Sequence, residues 1–499
     1  MLFIIVLSTL ITWYVIRHYH KSTKLPPGPI SIPLIGNIHQ LMYRAWRLGG
    51  IVPALDYYRK VYGNVFTIWM GPLPHVSVTD FDTNQQLFIK NGNKYVDRFL
   101  PPIFEAMSGN IGLVAANGEI WAELRRFTML TFRNLGVGRD IMEERILAEV
   151  DARCAEIDRD AENGRTIVNT TEFFDLTVGS VINSILVGKR FEEHNKHEFL
   201  QIKRAMDAAG EYFSILDLTV PVWVLKYFFP KRYNDNFAIL SKIENFVSME
   251  ALQRIEDVKN GKKVLDPDNA EDLVDAFLIK KEREDANGGH PAYTIPALQH
   301  VLSDLWLAGQ DTTATTLVSG FNQLINNPEV IVNVREELMK VTDNASRPLS
   351  IKDRPNTPYL NATLAEIQRH ASILNVNFWR YNHEMITVGG YPVDKGALIC
   401  AQLGAIHVND EIFENPEKFD PSRFIKNEKL LHQIIPFGIG KRSCVGENIA
   451  RNELYLMTGN LIMRYDFKPH GKLPETRDFL PYSSGKMPDK TVKLEFIKL

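Results

Sequence analysis

The stretch Phe437-Gly-Ile-Gly-Lys-Arg-Ser-Cys-Val-Gly446 decides how the rest of this 499-residue sequence is interpreted. Its single cysteine, Cys444, lies among glycines and directly before a helix-periodic run of apolar residues that includes Ile449 and Leu454. A sulfur at a helix N-terminus faces free amide groups and the positive end of the helix dipole, which favour a thiolate. The glycines let the backbone approach a flat group closely, and Arg442 adds a positive charge. These features suit a haem iron with an anionic ligand.

Other kinds of site share parts of this pattern. A phosphate-binding P-loop requires Gly-x-x-x-x-Gly-Lys-Ser/Thr, but Ile435 stands at the first glycine position and Arg442 at the Ser/Thr position. A dinucleotide fingerprint lacks a suitably placed acidic residue after the glycines. A cysteine nucleophile requires a histidine nearby in space, and the sequence leaves that open. A buried structural cysteine is the ordinary default, but the full spacing Phe-x-x-Gly-x-Arg-x-Cys-x-Gly argues against it.

This segment resembles the haem-binding loop of the cytochrome P-450 superfamily, the haem–thiolate monooxygenases. The resemblance implies a mainly α fold with a small β-rich lobe, which encloses one buried haem b and carries an N-terminal membrane anchor. It also implies that Cys444 is the axial ligand of the iron. The loop residues expected to line the haem are Phe437, Gly438, Arg442 and Gly446. The remaining motifs agree with the family in identity and order.

The composition is that of an ordinary globular protein, with 45% hydrophobic and 23% charged residues. The net charge of −3 gives no indication of a nucleic-acid partner. The three cysteines, Cys154, Cys400 and Cys444, are far apart and match neither a disulfide framework nor a zinc site. We therefore expect the functional part to lie in a reducing compartment.

The N-terminus predicts a membrane anchor. Residues 1–16 are uncharged, and a helix from Met1 to Tyr19 would be about 28 Å long, close to the thickness of the hydrocarbon core. Arg17, Lys21 and Lys24 follow it, so its C-terminal side is expected in the cytosol. The predicted divisions are an uncleaved transmembrane anchor at 1–20, a basic, proline-rich hinge at 21–36, and a catalytic domain at 37–499. The resemblance implies the endoplasmic reticulum membrane.

Residues 294–326 predict one long helix, which Thr294 caps and Pro328 ends. Its centre, Ala308-Gly-Gln-Asp-Thr-Thr313, contradicts helix propensity, which is typical of a functional position. A threonine hydroxyl there can bond the carbonyl one turn back and open the helix to water. By resemblance this is the oxygen-binding groove, in which Asp311 and Thr312 deliver protons to the reacting oxygen. The plainer interpretation is a polar kink without chemistry.

Trp121 and Arg125 are four residues apart and therefore share one face of a predicted helix. Alone, this pair indicates only a packed tryptophan beside an exposed arginine. In the resembled family it binds a haem propionate, together with residues that correspond to Arg98 and Arg380.

Glu366 and Arg369 stand at i and i+3, which alone indicates a common surface ion pair of little energetic value. By resemblance they form a buried triad with Arg423, on the thiolate side of the haem. The sequence departs from the family nearby, because Asn375 and Trp379 replace the usual prolines. Their effect on the wall of the active site is left open.

The run from Phe199 to Pro230 is apolar and aromatic and resembles the family's roof over the substrate. Residues 256–292 are polar and predict a surface loop. The predicted substrate-pocket residues are Phe104, Phe213, Leu307, Ala308 and Tyr482. They indicate a lipophilic small molecule, and a fatty acid, a steroid and a xenobiotic all remain open.

The resemblance implies a monooxygenase that receives electrons from NADPH through a membrane-bound NADPH–cytochrome reductase. Cytochrome b5 is a second candidate partner. The acidic surface of the reductase is expected to meet a basic surface formed by Arg125, Arg126, Arg133, Lys429 and Lys441. Two alternatives remain: a haem–thiolate isomerase or dehydratase, and a haem-based gas sensor or carrier. NADPH-dependent oxygen consumption with substrate separates the three.

Overall fold

Helices make up most of the molecule, and the strands of the described residues form three small sheets. The computed structural model describes residues 1–114, 116–137, 140–212 and 220–499. The predicted fold class, mainly α with a small β-rich lobe, is confirmed.

The β-rich lobe is built on a hairpin. Strand β1 (Val65–Met70) pairs antiparallel with β2 (Leu73–Val78), and the chain turns at Gly71, whose φ of +60° favours glycine. Two later strands complete this sheet: β7 (Leu398–Ala401), parallel to β2, and β4 (Arg380–Tyr381), antiparallel to β7. The other sheets pair β3 (Arg165–Asn169) and β8 (Tyr465–Pro469) with β9 (Lys493–Lys498), and β5 (Ile386–Val388) with β6 (Tyr391–Val393).

The described residues form the following helices, in chain order. The first ten are α1 (Leu2–Ser22), α2 (Ile38–Leu48), α3 (Ile51–Tyr62), α4 (Phe81–Gln85, continued by a π-helical turn at Gln86–Lys90), α5 (Pro102–Ser108), α6 (Gly118–Asn134), α7 (Asp140–Arg159), α8 (Thr170–Val187), α9 (Lys196–Tyr212) and α10 (Val222–Phe228). The others are α11 (Pro230–Lys259), α12 (Leu273–Ala286), α13 (Ile295–Asn326), α14 (Pro328–Val341), α15 (Pro358–Ala371), α16 (Leu403–His407), α17 (Ser422–Lys426) and α18 (Glu447–Arg464).

Helix α13 is the axis of the core, and it begins and ends as the sequence predicted. The Thr294 hydroxyl accepts a hydrogen bond from the Ala297 N–H at 3.2 Å, which satisfies one free amide of the first turn. Helix α8 packs along α13. At Gly320 a Cβ would lie 2.9 Å from Ile367 Cγ2, so α15 approaches α13 closely. This close approach fixes α15 beside the centre of the molecule.

The prediction of a surface loop at 256–292 is wrong, because α11 continues to Lys259 and α12 occupies much of the rest. Leu273, Val274 and Phe277 of α12 are fully buried. They form a narrow apolar stripe among charged residues, and the overall polarity of the segment concealed its helical period.

Within the described residues, α1 is the one helix long and apolar enough to cross a membrane. Its large apolar side chains between Met1 and Ile16 are mostly exposed, so this part of α1 has no protein surface to pack against. By composition and exposure, α1 therefore agrees with the predicted anchor.

Candidate functional site

A largely apolar cavity lies between the centre of α13 and the loop that precedes α18. Its empty volume is about 1550 Å³, including the opening to solvent. Its apolar lining includes Leu113, Ile182, Leu305, Ala308, Ile373, Leu374 and Phe378. The residues with chemical function that line it include Arg98, Trp121, Arg125, Thr312, Arg442 and Cys444.

The loop before α18 turns tightly so that it presents its cysteine to the cavity. At Gly440, with φ of +81°, a Cβ would lie 2.0 Å from the Phe88 carbonyl oxygen, so only glycine fits. The Cys444 N–H donates to the Phe437 carbonyl oxygen at 2.9 Å and closes the loop. The Cys444 side chain is accessible from the cavity, and Gly446 leaves the space beside the sulfur open.

Burial raises the pKa of the Cys444 thiol above its ordinary value, although a hydrogen bond from Gly446 and the charges of Arg125 and Arg98 lower it in part. Burial thus opposes the thiolate expected from the sequence, whereas the Gly446 hydrogen bond and the arginine charges favour it. A coordinated metal ion would deprotonate such a thiol outright.

Four arginines surround one side of the cavity: Arg98, Arg125, Arg380 and Arg442. No carboxylate of the described residues lies within salt-bridge distance of any of them. Burial, and repulsion between neighbouring guanidinium groups, lower the pKa of Arg380 to about 10 and that of Arg442 to about 9. Arg98 Nε and Arg380 Nη1 are buried without a hydrogen-bond partner. Asp304 and Asp97 offset this charge only in part, so the cluster favours the binding of a further anion.

The residues predicted to bind the haem propionates lie together at this cluster. Arg98 and Arg380 face each other in an isolated β-bridge. Arg125 Nη2 donates to the Ser443 carbonyl oxygen at 2.9 Å, and the Arg442 guanidinium lies 3.7 Å from the centre of the Trp121 ring. An accessible thiol, a cavity and unpaired guanidinium groups match a haem, with its iron and two carboxylates.

A family model described as Cytochrome P450 matches residues 26–496. The chain belongs to the cytochrome P450 family. Over 502 residues, covering all of both chains, it is 56% identical to "Probable cytochrome P450 cyp-35D1" of Caenorhabditis elegans. It is also 32% identical to "Cytochrome P450 2C55" of Rattus norvegicus, over 93% of this chain and 92% of that one. It is 31% identical to "Cytochrome P450 2C14" of Oryctolagus cuniculus, over 99% and 98%.

Membership makes this P450 a haem–thiolate monooxygenase, an oxidoreductase with haem as its cofactor.

The Glu366 carboxylate lies between two arginines on the cysteine side of the cavity. Arg369 donates to both of its oxygens, at 2.8 and 2.9 Å, and Arg423 Nε donates at 3.1 Å. All three side chains are buried. Burial alone would raise the pKa of Glu366, but the hydrogen bonds from Arg369 and His370 lower it to about 2. The three residues thus have the contacts expected of the triad.

A histidine that the sequence analysis missed connects this triad to the cysteine loop. Arg369 Nη1 donates to the His407 carbonyl oxygen at 2.8 Å, and His407 Nε2 accepts from the Ile435 N–H at 3.1 Å. Burial lowers the pKa of His407 to about 3, so the ring is neutral and Nδ1–H donates to the Ser372 hydroxyl. Only its contacts in space distinguish His407 from an ordinary buried histidine.

Helix α13 stays continuous through its polar centre. The Thr312 hydroxyl donates to the Ala308 carbonyl oxygen at 2.6 Å, and the Thr316 hydroxyl donates to the Thr312 carbonyl oxygen at 2.7 Å. The back-bonding anticipated for Thr312 is therefore present, and it weakens the regular helix bonds beside the cavity.

Asp311 is held in a buried ion network that the sequence analysis missed. Lys203 of α9 contacts Asp311, and its Nζ lies 3.0 Å from Asp207 and 3.7 Å from Asp175 of α8. Lys490 Nζ lies 2.9 Å from Asp207 and 3.9 Å from Asp311. Burial would raise the pKa of Asp311, but Lys203 and Lys490 hold it below its ordinary value. Asp311 is thus an ion-paired carboxylate while α9 lies in this position.

Asp175 belongs to the same network. Burial raises the pKa of Asp175 to about 7, although Lys203 opposes this. Gln310 Nε2 donates to Asp175 Oδ1 at 3.1 Å.

Two further acids near the cavity were missed. Asp304 accepts the N–H groups of Leu113 and Val114 at 2.7 and 2.9 Å, which ties their loop to α13. Both carboxyl oxygens of Glu453 are buried. Burial raises the pKa of Glu453 well above its ordinary value, although Thr313 lowers it in part. No local sequence pattern marks either residue.

The structure places only some of the predicted substrate-pocket residues at the cavity. Ala308 lines it, whereas Phe104, Leu307 and Tyr482 are not among its lining residues. Leu307 is 37% and Tyr482 is 47% exposed. Leu307 directly precedes Ala308 on α13, so the two side chains point about 100° apart. Phe213 lies outside the described residues.

Asn375 and Trp379 stand where the family usually has prolines, and other contacts hold this part of the cavity wall. The Asn375 carbonyl oxygen accepts the Gly404 N–H at 2.9 Å, and Trp379 packs edge-on against His75 at 5.2 Å between ring centres. The C-terminal segment adds a hydrogen bond from the Lys486 N–H to the Ile373 carbonyl oxygen at 2.8 Å.

Glu366→Gln is expected to give little holoprotein, because it leaves two buried guanidinium groups without their anion, a loss on the order of 3–5 kcal/mol. The measurement is haem content per purified chain. The partly exposed acid of a helical Glu–Lys pair provides the matched control, Glu284→Gln, which should keep full haem content. Normal haem content in Glu366→Gln would contradict a structural role for the triad. Because the pKa of Glu366 is depressed, its contribution to stability is complete above 4.5 and is lost as the pH falls toward 2.

Lys203→Met is expected to loosen α9, because it removes the cation that three carboxylates share. Backbone hydrogen exchange should show reduced protection of α9 relative to the unsubstituted protein. Lys226→Met, at an exposed lysine of α10, is the control and should leave that protection unchanged. Equal protection of α9 in both variants would show that the network does not hold this helix.

Proposed function

We propose that this P450 inserts one oxygen atom of O2 into a lipophilic small molecule, with electrons from NADPH through a membrane-bound NADPH–cytochrome reductase. The observation that carries the proposal is the apolar cavity that both Cys444 and the centre of α13 line. A fatty acid, a steroid and a xenobiotic all match such a lining.

In this proposal Cys444 is the axial ligand, and the four arginines bind the haem propionates together with Trp121. Phe437, Gly438 and Gly446 complete the loop that covers the cysteine side. The bound haem supplies dioxygen activation, and its thiolate ligand favours O–O cleavage. The support from this chain is the accessible sulfur at one side of the cavity and the unpaired guanidinium groups at its edge.

Thr312 and Asp311 serve the proton supply of the reaction. The Thr312 hydroxyl borders the cavity and bonds the Ala308 carbonyl oxygen, so it holds a hydroxyl at the reacting side of α13. Asp311 contributes when it is released from Lys203, because an ion-paired carboxylate of lowered pKa carries no proton at neutral pH.

For the membrane, we propose that residues 1–20 form an uncleaved anchor in the endoplasmic reticulum and that residues 37–499 form a cytosolic catalytic domain. The support is the apolar, exposed α1 and the basic residues that follow it.

The reductase would dock on a basic surface near the cysteine loop, and cytochrome b5 would use the same surface. Arg126, Arg133, Lys429 and Lys441 are exposed. Arg125 was also expected on this basic surface, but its guanidinium points inward and donates to the Ser443 carbonyl oxygen. Such charge complementarity mainly raises the rate of association.

Reconstitution in phospholipid vesicles with an NADPH–cytochrome reductase tests the proposal. A panel of fatty acids, steroids and xenobiotics is screened for substrate-induced changes of the haem spectrum, and the binders are tested for NADPH-dependent oxygen consumption. Oxidised product that carries oxygen from O2 is expected for at least one class. Conversion of a substrate without oxygen consumption would favour an isomerase or dehydratase.

Cys444→His is expected to abolish the red-shifted absorption band that the reduced carbon monoxide complex of a thiolate-ligated haem gives. Imidazole is a neutral ligand and donates less electron density than a thiolate. Cys154→Ala, at a buried cysteine of α7, should keep the band. A thiolate-type band in Cys444→His would contradict the ligand assignment.

Thr312→Ala is expected to keep its haem but to divert NADPH electrons to hydrogen peroxide, because proton delivery to the reacting oxygen is then impaired. The ratio of product to NADPH consumed measures this. Thr316→Ala removes the same kind of hydrogen bond one turn further along α13 and should keep a higher ratio. Equal ratios in the two variants would count against a specific role for Thr312.

A further inference from the structure

The part of the cavity wall that follows α15 begins at a strained turn. Ser372 comes directly after α15 and lies in the left-handed region, with φ of +36°, a conformation that costs a serine free energy. Its hydroxyl is bound to the His407 ring at 3.0 Å. The next two residues, Ile373 and Leu374, line the cavity. The conformation of this turn therefore decides where the apolar wall stands.

A loop near the C-terminus, which we call the clasp (residues 478–487), binds this wall. The Ile373 carbonyl oxygen accepts the Lys486 N–H at 2.8 Å, and the Val376 N–H donates to the Ser484 carbonyl oxygen at 3.3 Å. An isolated antiparallel β-bridge joins the two segments between these bonds. The wall therefore depends on the clasp for hydrogen bonds of its backbone.

The clasp is itself closed and fixed to the domain. The Phe479 N–H donates to the Met487 carbonyl oxygen at 2.8 Å, and the Asp478 carboxylate accepts the Met487 N–H at 3.0 Å. The Pro481 carbonyl oxygen accepts the Ile51 N–H at 2.7 Å, which ties the loop to α3. A loop with these contacts can hold another segment in place.

Lys486 is the residue through which the clasp holds the turn. Its backbone N–H binds Ile373, after the turn, and its side-chain Nζ donates to the His370 carbonyl oxygen, before the turn, at 2.6 Å. The last carbonyl groups of a helix have no partner within the helix, and a lysine near them also meets the negative end of the helix dipole. One residue therefore bridges both sides of Ser372.

The side chain of Lys486 serves this contact rather than an ion pair. Among the residues that the structure describes, no carboxylate lies within salt-bridge distance of Lys486. Burial lowers the pKa of its ammonium group, and the more distant charges of Asp478 and Glu417 oppose this. Lys486 is not among the residues that line the cavity, so it affects a ligand only through the wall.

We propose that Lys486 is a positioning residue, which fixes the shape of the substrate cavity and thereby determines which ligands this P450 accepts. Its bridge across the turn at Ser372 keeps Ile373 and Leu374 at one place in the wall. The inference goes beyond the proposed function, because it assigns ligand selection to a residue that does not touch the ligand. It rests on a haem bound in the cavity and does not require that the protein insert oxygen.

The test compares two ligands of the haem iron, imidazole and clotrimazole, by spectral titration of the full-length holoprotein. Both bind iron through an imidazole ring, but only clotrimazole adds aryl rings bulky enough to contact the cavity walls. In Lys486→Met, which keeps the length of the side chain but cannot donate a hydrogen bond, the Kd of clotrimazole should rise roughly tenfold, which corresponds to about 1.4 kcal/mol. The Kd of imidazole should stay unchanged.

Two further variants separate positioning from a general loss of stability. Lys472→Met, at an exposed lysine before the clasp, is the matched control and should change neither Kd. Lys486→Arg keeps a cationic donor and should hold the Kd of clotrimazole within about twofold of the unsubstituted value. Hydrogen exchange of the Val376 amide, which donates to the clasp, should be faster in Lys486→Met than in Lys486→Arg.

An equal Kd of clotrimazole in Lys486→Met and Lys472→Met would overturn the proposal. Equal weakening of both ligands in Lys486→Met would overturn it too, because the lysine would then support the haem site as a whole. If Lys486→Met binds no haem, Asp478→Ala, which removes the acceptor that closes the clasp, decides by the same two titrations. A protein that binds both ligands as expected but yields no oxidised product would contradict the proposed function and leave this inference intact.

Discussion

Four arginine guanidinium groups lie close together at one side of the cavity without a carboxylate of the described residues within salt-bridge distance, and the rest of the site depends on that constraint. Two of their buried nitrogens have no hydrogen-bond partner. Several others donate to backbone carbonyl oxygens, among them those of Val114 and Ala116, so the loop before α6 is positioned by the same charges. An anion at this position would stabilise the folded state by mass action. A bound haem would therefore stabilise the fold as well as serve as the cofactor.

On the cysteine side of the cavity, in contrast to the arginine cluster, the buried charges of the triad are paired. Glu366 neutralises Arg369 and Arg423, and the path from this triad to the ligand loop runs through hydrogen bonds of His407 to Ile435. The residues that hold Cys444 in place are thus remote from its sulfur. A support of this kind keeps a ligand within the narrow geometry that metal binding requires.

The sequence predicted features whose determinants are local. The cap at Thr294 and the helix directly after the Cys444 loop each involve residues within about ten positions of one another, and both appear in the structure as expected. Contacts between remote residues could not be predicted in this way. Lys203 reaches Asp311 across 108 positions, and Ile435 meets His407 across 28.

The same limit explains the errors about exposure. Leu307 is apolar and adjacent to Ala308, but neighbouring residues of a helix point about 100° apart, so only one of the two lines the cavity. Arg125 is basic, but its guanidinium is turned inward toward Ser443. Residue type alone does not give the direction of a side chain.

The acid on α13 shows how such a remote contact changes chemistry. By sequence, Asp311 and Thr312 form one pair, but in the structure Asp311 is ion-paired with Lys203 of α9, whereas the Thr312 hydroxyl bonds within α13. Without Lys203, the Asp311 carboxylate would lie near Asp175 and Asp207 with less compensating charge, and its pKa would rise. The pKa of Asp311 therefore depends on contacts with α9 and with Lys490 of the C-terminal segment, which the local sequence does not contain.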